Sequence, residues 1–222
     1  MQFSGLTQNL IDILRKKIII GELKPGQNIN EIKLSKSLNI SRSPIREALR
    51  TLENERLVIY MPRKGTSVSN ISLEDLSEIY QLREMIECFA INLLEEKNIQ
   101  TYENLNLCVD RMIGLEALSQ SASPEEKLNY VETLAEFHLE MVKIAGNKRL
   151  FDSYVTIYSN INRYVFLSVF IQGVLEHRVG DHIKIVKYLK GKKYNEARQT
   201  VKDHVRHACE ECNSFKGLSS LI

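Results

Sequence analysis

The sequence predicts a mainly α-helical protein in two parts. Residues 1–70 predict three helices followed by a β-hairpin, and residues 71–222 predict an all-helical antiparallel bundle of about six helices. The two parts also carry opposite net charge, +6 for the first and −4 for the second. A basic first part favours a polyanionic partner for that part alone, although a solvated basic surface would give the same charge count.

Length and composition exclude several classes of protein. The 222 residues are enough for two domains, each with its own core. No segment approaches the roughly 18 apolar residues of a membrane span, and the N-terminus lacks the pattern of a signal peptide, so a cytoplasmic location is expected. The four cysteines lack the paired spacing of a zinc ribbon and are expected to be reduced thiols.

Turn signals separate short elements in the first part. A helix near residues 6–18 is followed by Gly21 and Pro25-Gly26, and a short helix follows from Glu31 to Ser37. A third helix begins at Ser43-Pro44, because serine can cap a helix and proline suits its first position, and it ends near residue 54. Two β-prone segments, 57–60 and 66–68, then predict a hairpin. Three helices and such a hairpin form a winged helix-turn-helix.

The third helix divides into an apolar face and a basic face. Its apolar face is formed by Ile45, Ala48, Leu49 and Leu52. Arg46 and Arg50 are four residues apart and lie off that face, while Ser41, Arg42 and Ser43 stand at the helix start. Arginines near the start of a helix can contact guanine edges or phosphates in the major groove of DNA. Taken alone, the two arginines could equally form a solvated helix face.

This region closely resembles the winged helix-turn-helix of the GntR family of bacterial transcription regulators. The resemblance is strongest in residues 34–50, LSKSLNISRSPIREALR, and covers about residues 5–69. It implies DNA contacts at Arg42, Ser43, Arg46, Arg50, Lys64 and Gly65, and the hydroxyl of Ser41 is a further candidate. Gly65 lacks a side chain, which would let the hairpin tip approach DNA closely. Ile32 stands where the family often has a basic residue, with Lys33 beside it.

Three of the five histidines are predicted to point into the bundle. His138, His182 and His204 share the helical phase of the apolar residues around them, whereas His177 and His207 do not and are expected at the surface. Neutral imidazoles from three helices can converge into a metal site. Each histidine alone could instead be a hydrogen-bonded core residue.

The second part resembles the FCD ligand-binding domain that often follows this winged helix. The likeness spans roughly residues 72–213 and includes the segments LREMIE (82–87), EFH (136–138) and AGN (145–147), together with the spacing of the last two inward histidines. Many FCD domains bind a divalent metal with one Asp and three His, and the metal helps to hold a carboxylate effector. His138, His182 and His204 match the histidines, but Leu134 occupies the aspartate position. The histidine set suits zinc or nickel.

Arg83 matches an FCD arginine that can face the cavity, where its planar guanidinium would suit a carboxylate. The alternative for Arg83 is a surface salt bridge to Glu87, one helical turn further along. The resemblance therefore implies a small carboxylate effector whose binding involves Arg83.

The leading interpretation is a sequence-specific transcription regulator, expected to be a repressor and not an enzyme. It would bind two operator half-sites as a homodimer and respond to the small carboxylate in its bundle. A metal-dependent hydrolase is one alternative, since three histidines with an open position also describe a catalytic zinc site. A regulator that senses the metal itself is another. Glu132 and Glu136 lie on other helix faces than His138, which weighs against a general base beside it.

Overall fold

The computed structural model describes residues 2–115, 123–172 and 178–213. These residues fold into two compact units that divide between Ser72 and Leu73. The first unit contains three helices and a small sheet, and the described part of the second contains six helices. Within the described ranges, every helix is too short or too polar to span a membrane.

The helices of the first unit are α1 (Gln2–Ile19), α2 (Glu31–Leu38) and α3 (Arg42–Asn54). The side chain of Asn30 caps α2 by accepting hydrogen bonds from the backbone N–H groups of Ile32 and Lys33. All four residues of the predicted apolar face of α3 are buried against α1 and the sheet in one hydrophobic core. The polar face of α3 is therefore turned toward solvent.

The start of α3 differs from the prediction by two positions. The N-cap is Ser41 rather than Ser43, and Arg42 is the first helical residue. Pro44 is thus the third helical residue, which is tolerated because N–H groups in the first turn have no partner within the helix. The hydroxyl of Ser41 makes no capping hydrogen bond.

The predicted hairpin is part of a three-stranded antiparallel sheet. Strands β2 (Val58–Met61) and β3 (Gly65–Val68) form the hairpin, and β1 (Asn28–Ile29) pairs with the other edge of β3. Met61 lies opposite Gly65 at the tip. The prediction missed β1, because two residues are too short to show an alternating pattern.

The second unit is a helical bundle. Its described helices are α4 (Leu73–Glu96), α5 (Glu103–Leu115), α6 (Pro124–Ile144), α7 (Lys148–Gln172), α8 (Arg178–Lys190) and α9 (Tyr194–Asn213). Ser123 and Glu126 form a reciprocal capping box at the start of α6. The predicted ends of α5 and α9 and the predicted start of α8 lie partly outside the described residues.

Candidate DNA-binding surface and buried histidine cluster

The solvent-facing side of α3 carries the arginines singled out in the sequence. Arg42, Arg46 and Arg50 are exposed, whereas the apolar face of the same helix is at most 4% exposed. Ser41 and Ser43 at the start of α3 are also exposed. All five side chains are therefore open to a ligand that approaches this side of the helix.

Glu31, the first residue of α2, forms ion pairs with two of these arginines. Its Oε2 atom accepts hydrogen bonds from Nη2 of Arg42 and from Nε of Arg46, both 2.9 Å long. Partial burial acts to raise the pKa of Glu31, but the hydrogen bonds from the two arginines outweigh it and lower the pKa. The ionised carboxylate offsets one positive charge of this surface, and its bond to Arg46 uses Nε rather than the two terminal Nη groups.

The hairpin of β2 and β3 is the wing of the winged helix-turn-helix, and its tip contains Lys64 and Gly65. Lys64 is exposed, and its backbone carbonyl accepts a 2.9 Å hydrogen bond from Nδ2 of Asn28. Gly65 has a φ of +85°, a backbone conformation that residues with a Cβ atom rarely adopt. A Cβ atom on Gly65 would lie 3.7 Å from Nδ2 of Asn28, an ordinary contact distance. The glycine is therefore required by the conformation of the turn, and not by steric crowding within the protein.

Three histidines meet inside the bundle. His138 on α6, His182 on α8 and His204 on α9 are 2%, 1% and 7% exposed. One ring nitrogen from each lies within 4.8 Å of those from the other two, and the Nε2 atoms of His138 and His182 are 3.0 Å apart. The helical phase in the sequence thus selected the histidines that converge. His207 is exposed, and His177 lies outside the described residues.

Glu87 on α4 contacts the histidine cluster from a fully buried position. Its Oε2 atom is 2.9 Å from Nδ1 of His138, and its Oε1 atom accepts hydrogen bonds from Arg83 Nε and from the Tyr154 hydroxyl, both 2.7 Å long. Burial acts to raise the pKa of Glu87, but Arg83 and His138 outweigh it and hold the pKa far below its ordinary value. Burial lowers the pKa of His138 to about 4, against the opposing effect of Glu87. At neutral pH a neutral imidazole therefore faces an ionised carboxylate.

The salt bridge between Arg83 and Glu87 is a buried one. Arg83 is 3% exposed and Glu87 is 0% exposed, so the surface pair considered from the sequence occurs in the interior instead. Arg83 also lines the cavity beside the histidines. The side chain of Arg83 therefore does two things: its Nε donates a hydrogen bond to Glu87, and it forms part of the cavity wall.

A second carboxylate lies near His204. Oδ2 of Asp181, on α8, is 3.6 Å from Nδ1 of His204, and its interaction with His204 is the main cause that lowers the pKa of Asp181 to about 2. Two of the three histidines thus have a carboxylate on the Nδ1 side of the ring. This arrangement is typical of histidines that bind a metal through Nε2.

The histidines border a small cavity of about 20 Å³. Among the described residues its lining includes the three histidines and, around them, Arg83, Leu134, Ala135, Tyr154, Ile161 and Val165. A water molecule needs roughly 10–15 Å³ of such space, so the cavity has room for a single water or ion. Leu134 takes the place of the aspartate expected in this family resemblance, and it supplies only apolar surface to the cavity.

Comparison with protein families decides what kind of protein this is. The model described as "Bacterial regulatory proteins, gntR family" matches residues 6–68, and the model of the FCD domain matches residues 78–207, more than half of the chain. The chain belongs to the GntR family of transcription regulators. Its N-terminal unit carries the DNA-binding region of the family, and its bundle carries the FCD domain.

Individual relatives agree with this family assignment. The uncharacterized HTH-type transcriptional regulator YdhC of Bacillus subtilis is 29% identical over 89% of this chain and 86% of its own length. The HTH-type transcriptional repressor RspR of Escherichia coli is 22% identical over 95% of this chain and 90% of its own length.

Solved structures show the same fold. A GntR regulator from Rhodococcus superposes with a TM-score of 0.78 at 20% identity, covering 95% of this chain and 99% of its own. McbR/YncC of Escherichia coli superposes with a TM-score of 0.74 at 20% identity, covering 94% of this chain and 97% of its own. At such identities the likeness establishes the fold of this GntR regulator and nothing finer.

Sequence patterns do not place three acidic residues of this regulator, Glu31, Glu87 and Asp181, in its sites. Glu87 is predicted only as an alternative surface partner of Arg83. For Glu87 a signal is present in the sequence, because it shares the helical phase of Leu76, Tyr80, Ile91 and Leu94, which are buried on α4. The contacts of Glu31 and Asp181 depend on other helices, and neither helical phase nor spacing reveals them.

Proposed function

We propose that this GntR-family regulator is a repressor that reads its operator with α3 and the wing, and that its affinity for DNA depends on what occupies the histidine cavity. Base edges would be contacted by Arg46 and Arg50, and phosphates by Arg42 and Lys64. Ser41, Ser43 and the backbone at Gly65 would supply further contacts to the DNA backbone. Support comes from exposed side chains on one helix and at one wing tip, namely those of Ser41, Arg42, Ser43, Arg46, Arg50 and Lys64. Relatives such as RspR are named as repressors.

The single observation that carries the regulatory half of the proposal is the convergence of three buried histidines. Neutral imidazole nitrogens suit zinc, nickel or copper better than magnesium or calcium, which prefer oxygen ligands. The 3.0 Å between the Nε2 atoms of His138 and His182 is close to the roughly 3.3 Å that two nitrogens of a tetrahedral zinc site require. The cavity volume also suits one ion. His138, His182 and His204 would therefore hold a divalent transition metal, with zinc or nickel expected first.

The volume of the same cavity limits the size of the effector that can bind there. Pockets that bind organic ligands usually enclose about 300–1,000 Å³, far more than the 20 Å³ beside the histidines. A carboxylate effector would bind at the metal and near Arg83 only if the surrounding helices moved apart. A ligand that prefers such an opened bundle shifts the protein toward it, and this difference in affinity would supply the regulatory signal.

The cavity volume also favours a second candidate, in which the metal ion itself is the signal. An ion fits without any opening of the bundle, so its binding would order the histidines directly. The metal-dependent hydrolase gains no comparable support, because a substrate would need far more space than one ion.

DNA binding with and without metal tests the proposal. Purified protein would first select its preferred duplex from a randomised library, and the affinity for that duplex would then be measured with zinc, with a chelator, and with zinc plus small carboxylates. We expect salt-sensitive binding of a sequence with two half-sites by a dimer of twice 25.6 kDa. A change in DNA affinity with zinc alone favours a regulator that senses the metal. A change in DNA affinity that also requires a carboxylate favours a regulator that responds to a carboxylate effector. Selection of no common sequence would contradict the proposed operator recognition.

A further inference from the structure

The buried cluster of Arg83, Glu87, Tyr154 and His138 has a defined pattern of donors and acceptors. Arg83 Nε and the Tyr154 hydroxyl both donate to Oε1 of Glu87, which leaves Oε2 to face Nδ1 of His138 at 2.9 Å. An ionised carboxylate can only accept hydrogen bonds. The ring of His138 must therefore carry its hydrogen on Nδ1.

We infer that Glu87 is a positioning residue, which fixes His138 in the tautomer whose Nε2 lone pair faces the histidine cavity. Metals bind histidine through an unprotonated nitrogen, so this tautomer makes His138 ready to coordinate through Nε2. The statement about metal rests on the proposed function, whereas the statement about the tautomer does not.

In the metal-free protein, the tautomer of His138 also fixes the hydrogen-bonding role of His182. Its Nε2 atom lies 3.0 Å from Nε2 of His138, and two nitrogens in a hydrogen bond need one donor and one acceptor. Because Glu87 makes His138 Nε2 an acceptor, His182 Nε2 is the donor. His182 must then move its hydrogen to Nδ1 before it can coordinate through Nε2, while His138 needs no such change.

Glu87→Gln tests this inference with a side chain of the same shape. Two donors, Arg83 Nε and the Tyr154 hydroxyl, still converge on the Oε1 position, so the amide oxygen is expected there and the NH₂ group is expected to face His138. Nδ1 of His138 must then accept, which transfers its hydrogen to Nε2. We expect the zinc affinity to fall by about 10–100-fold, the usual effect of removing such a partner.

The decisive readout is the tautomer, measured by nitrogen-15 NMR of the metal-free full-length protein near pH 8, where an imidazole of ordinary pKa is neutral. The expected result is Nδ1–H for His138 in the wild type and Nε2–H in Glu87→Gln. The matched control is Glu84→Gln, which removes a carboxylate of the same helix that pairs with Arg206 at the surface. The control should change neither the tautomer nor the zinc affinity.

Two outcomes would overturn the inference: Nε2–H at His138 in the wild type, or an unchanged Nδ1–H in Glu87→Gln. If Glu87→Gln does not fold, the wild-type spectrum still decides, together with Tyr154→Phe. That variant keeps the carboxylate and should keep Nδ1–H. Wild-type protein with Nδ1–H at His138 but no zinc binding would support the role of Glu87 and contradict the metal site of the proposed function.

Discussion

Two carboxylates of this regulator form ion pairs with arginine, Glu31 with two exposed arginines and Glu87 with a buried one. The partners of Glu31, Arg42 and Arg46, are 48% and 56% exposed, whereas the partner of Glu87, Arg83, is 3% exposed. Exposed ion pairs contribute little free energy and exchange their partners readily for others. A buried pair is strongly destabilising when one member is removed, because the remaining charge stays in the interior.

The difference fits the two tasks. In the proposed function, the arginines on α3 release Glu31, at least in part, when they meet phosphates and bases, and a weak pair would allow that exchange. In the proposed role of Glu87, the pair in the bundle holds one geometry around His138, and a pair that is strongly destabilising to break would do so. The same residue types would then serve exchange at the surface and fixation in the interior.

The largest effect is expected for Arg83→Met, which leaves Glu87 charged in the core without its partner. We expect a loss of about 3–5 kcal/mol in the free energy of unfolding, measured by urea denaturation of the full chain at neutral pH. The matched control is Arg206→Met, which breaks the ion pair between exposed Arg206 and half-buried Glu84 and should leave stability almost unchanged. Equal losses in both variants would remove the contrast between the two kinds of pair.

The next effect concerns pH and His138. Burial lowers the pKa of His138 to about 4, while the unfolded chain has an ordinary value near 6.5. Between these values the unfolded state binds the proton that folded His138 refuses, so stability falls as the pH drops from about 6.5 to 4. The pKa difference corresponds to roughly 3 kcal/mol.

Urea denaturation across this pH range measures the loss. His138→Gln should show a shallower dependence on pH than the wild type, and His207→Gln, at an exposed histidine, should match the wild type. Parallel curves for wild type and His138→Gln would mean that His138 is not held neutral by its surroundings.

A smaller effect is expected at the DNA surface. Arg46→Ala should weaken binding to the selected duplex by about 1–3 kcal/mol and relax the preference at one base pair, as the loss of one bidentate base contact does. Competition binding against duplexes with single base changes measures both quantities. An Arg46→Ala protein with unchanged affinity and unchanged preference would remove this residue from the base-reading surface.

The smallest effect is expected for Glu31→Gln, which removes the charge but keeps an acceptor for Arg42 and Arg46. Binding to random DNA should tighten, and the dependence of log affinity on log salt should steepen by about 0.9, because one more positive charge is free to meet a phosphate. Lys64→Ala should flatten the same dependence by a similar amount. If both variants shifted the slope in the same direction, the charge balance assigned to Glu31 would be wrong.

Much of the fold could be predicted because helical phase alone separates inside from outside. On α3 the phase put Ile45, Ala48, Leu49 and Leu52 in the core and the arginines outside, as the structure has them. The same reasoning turned His138, His182 and His204 inward. Their convergence, however, depends on how α6, α8 and α9 pack, which phase does not specify.

Charged residues were harder to place because their chemistry suggests the surface. Arg83 and Glu87 share the phase of the buried residues on α4, yet an ion pair one turn apart is more often exposed. Phase was the better guide here, since each charge has a partner that offsets burial. The position of Ser41 as N-cap and the pairing of β1 escaped prediction for a different reason: each is decided by a few local backbone angles rather than by a periodic pattern.

Zinc titration by calorimetry would decide whether the three buried histidines form one metal site. The wild-type chain, His182→Ala and the exposed control His207→Ala would be compared under the same conditions. We expect one zinc ion per chain in the wild type and in His207→Ala, and an affinity at least about 10-fold lower in His182→Ala, because one of three nitrogen ligands is lost. Equal and weak uptake by all three proteins would contradict this expectation, and would leave the histidines as hydrogen-bonded residues of the core.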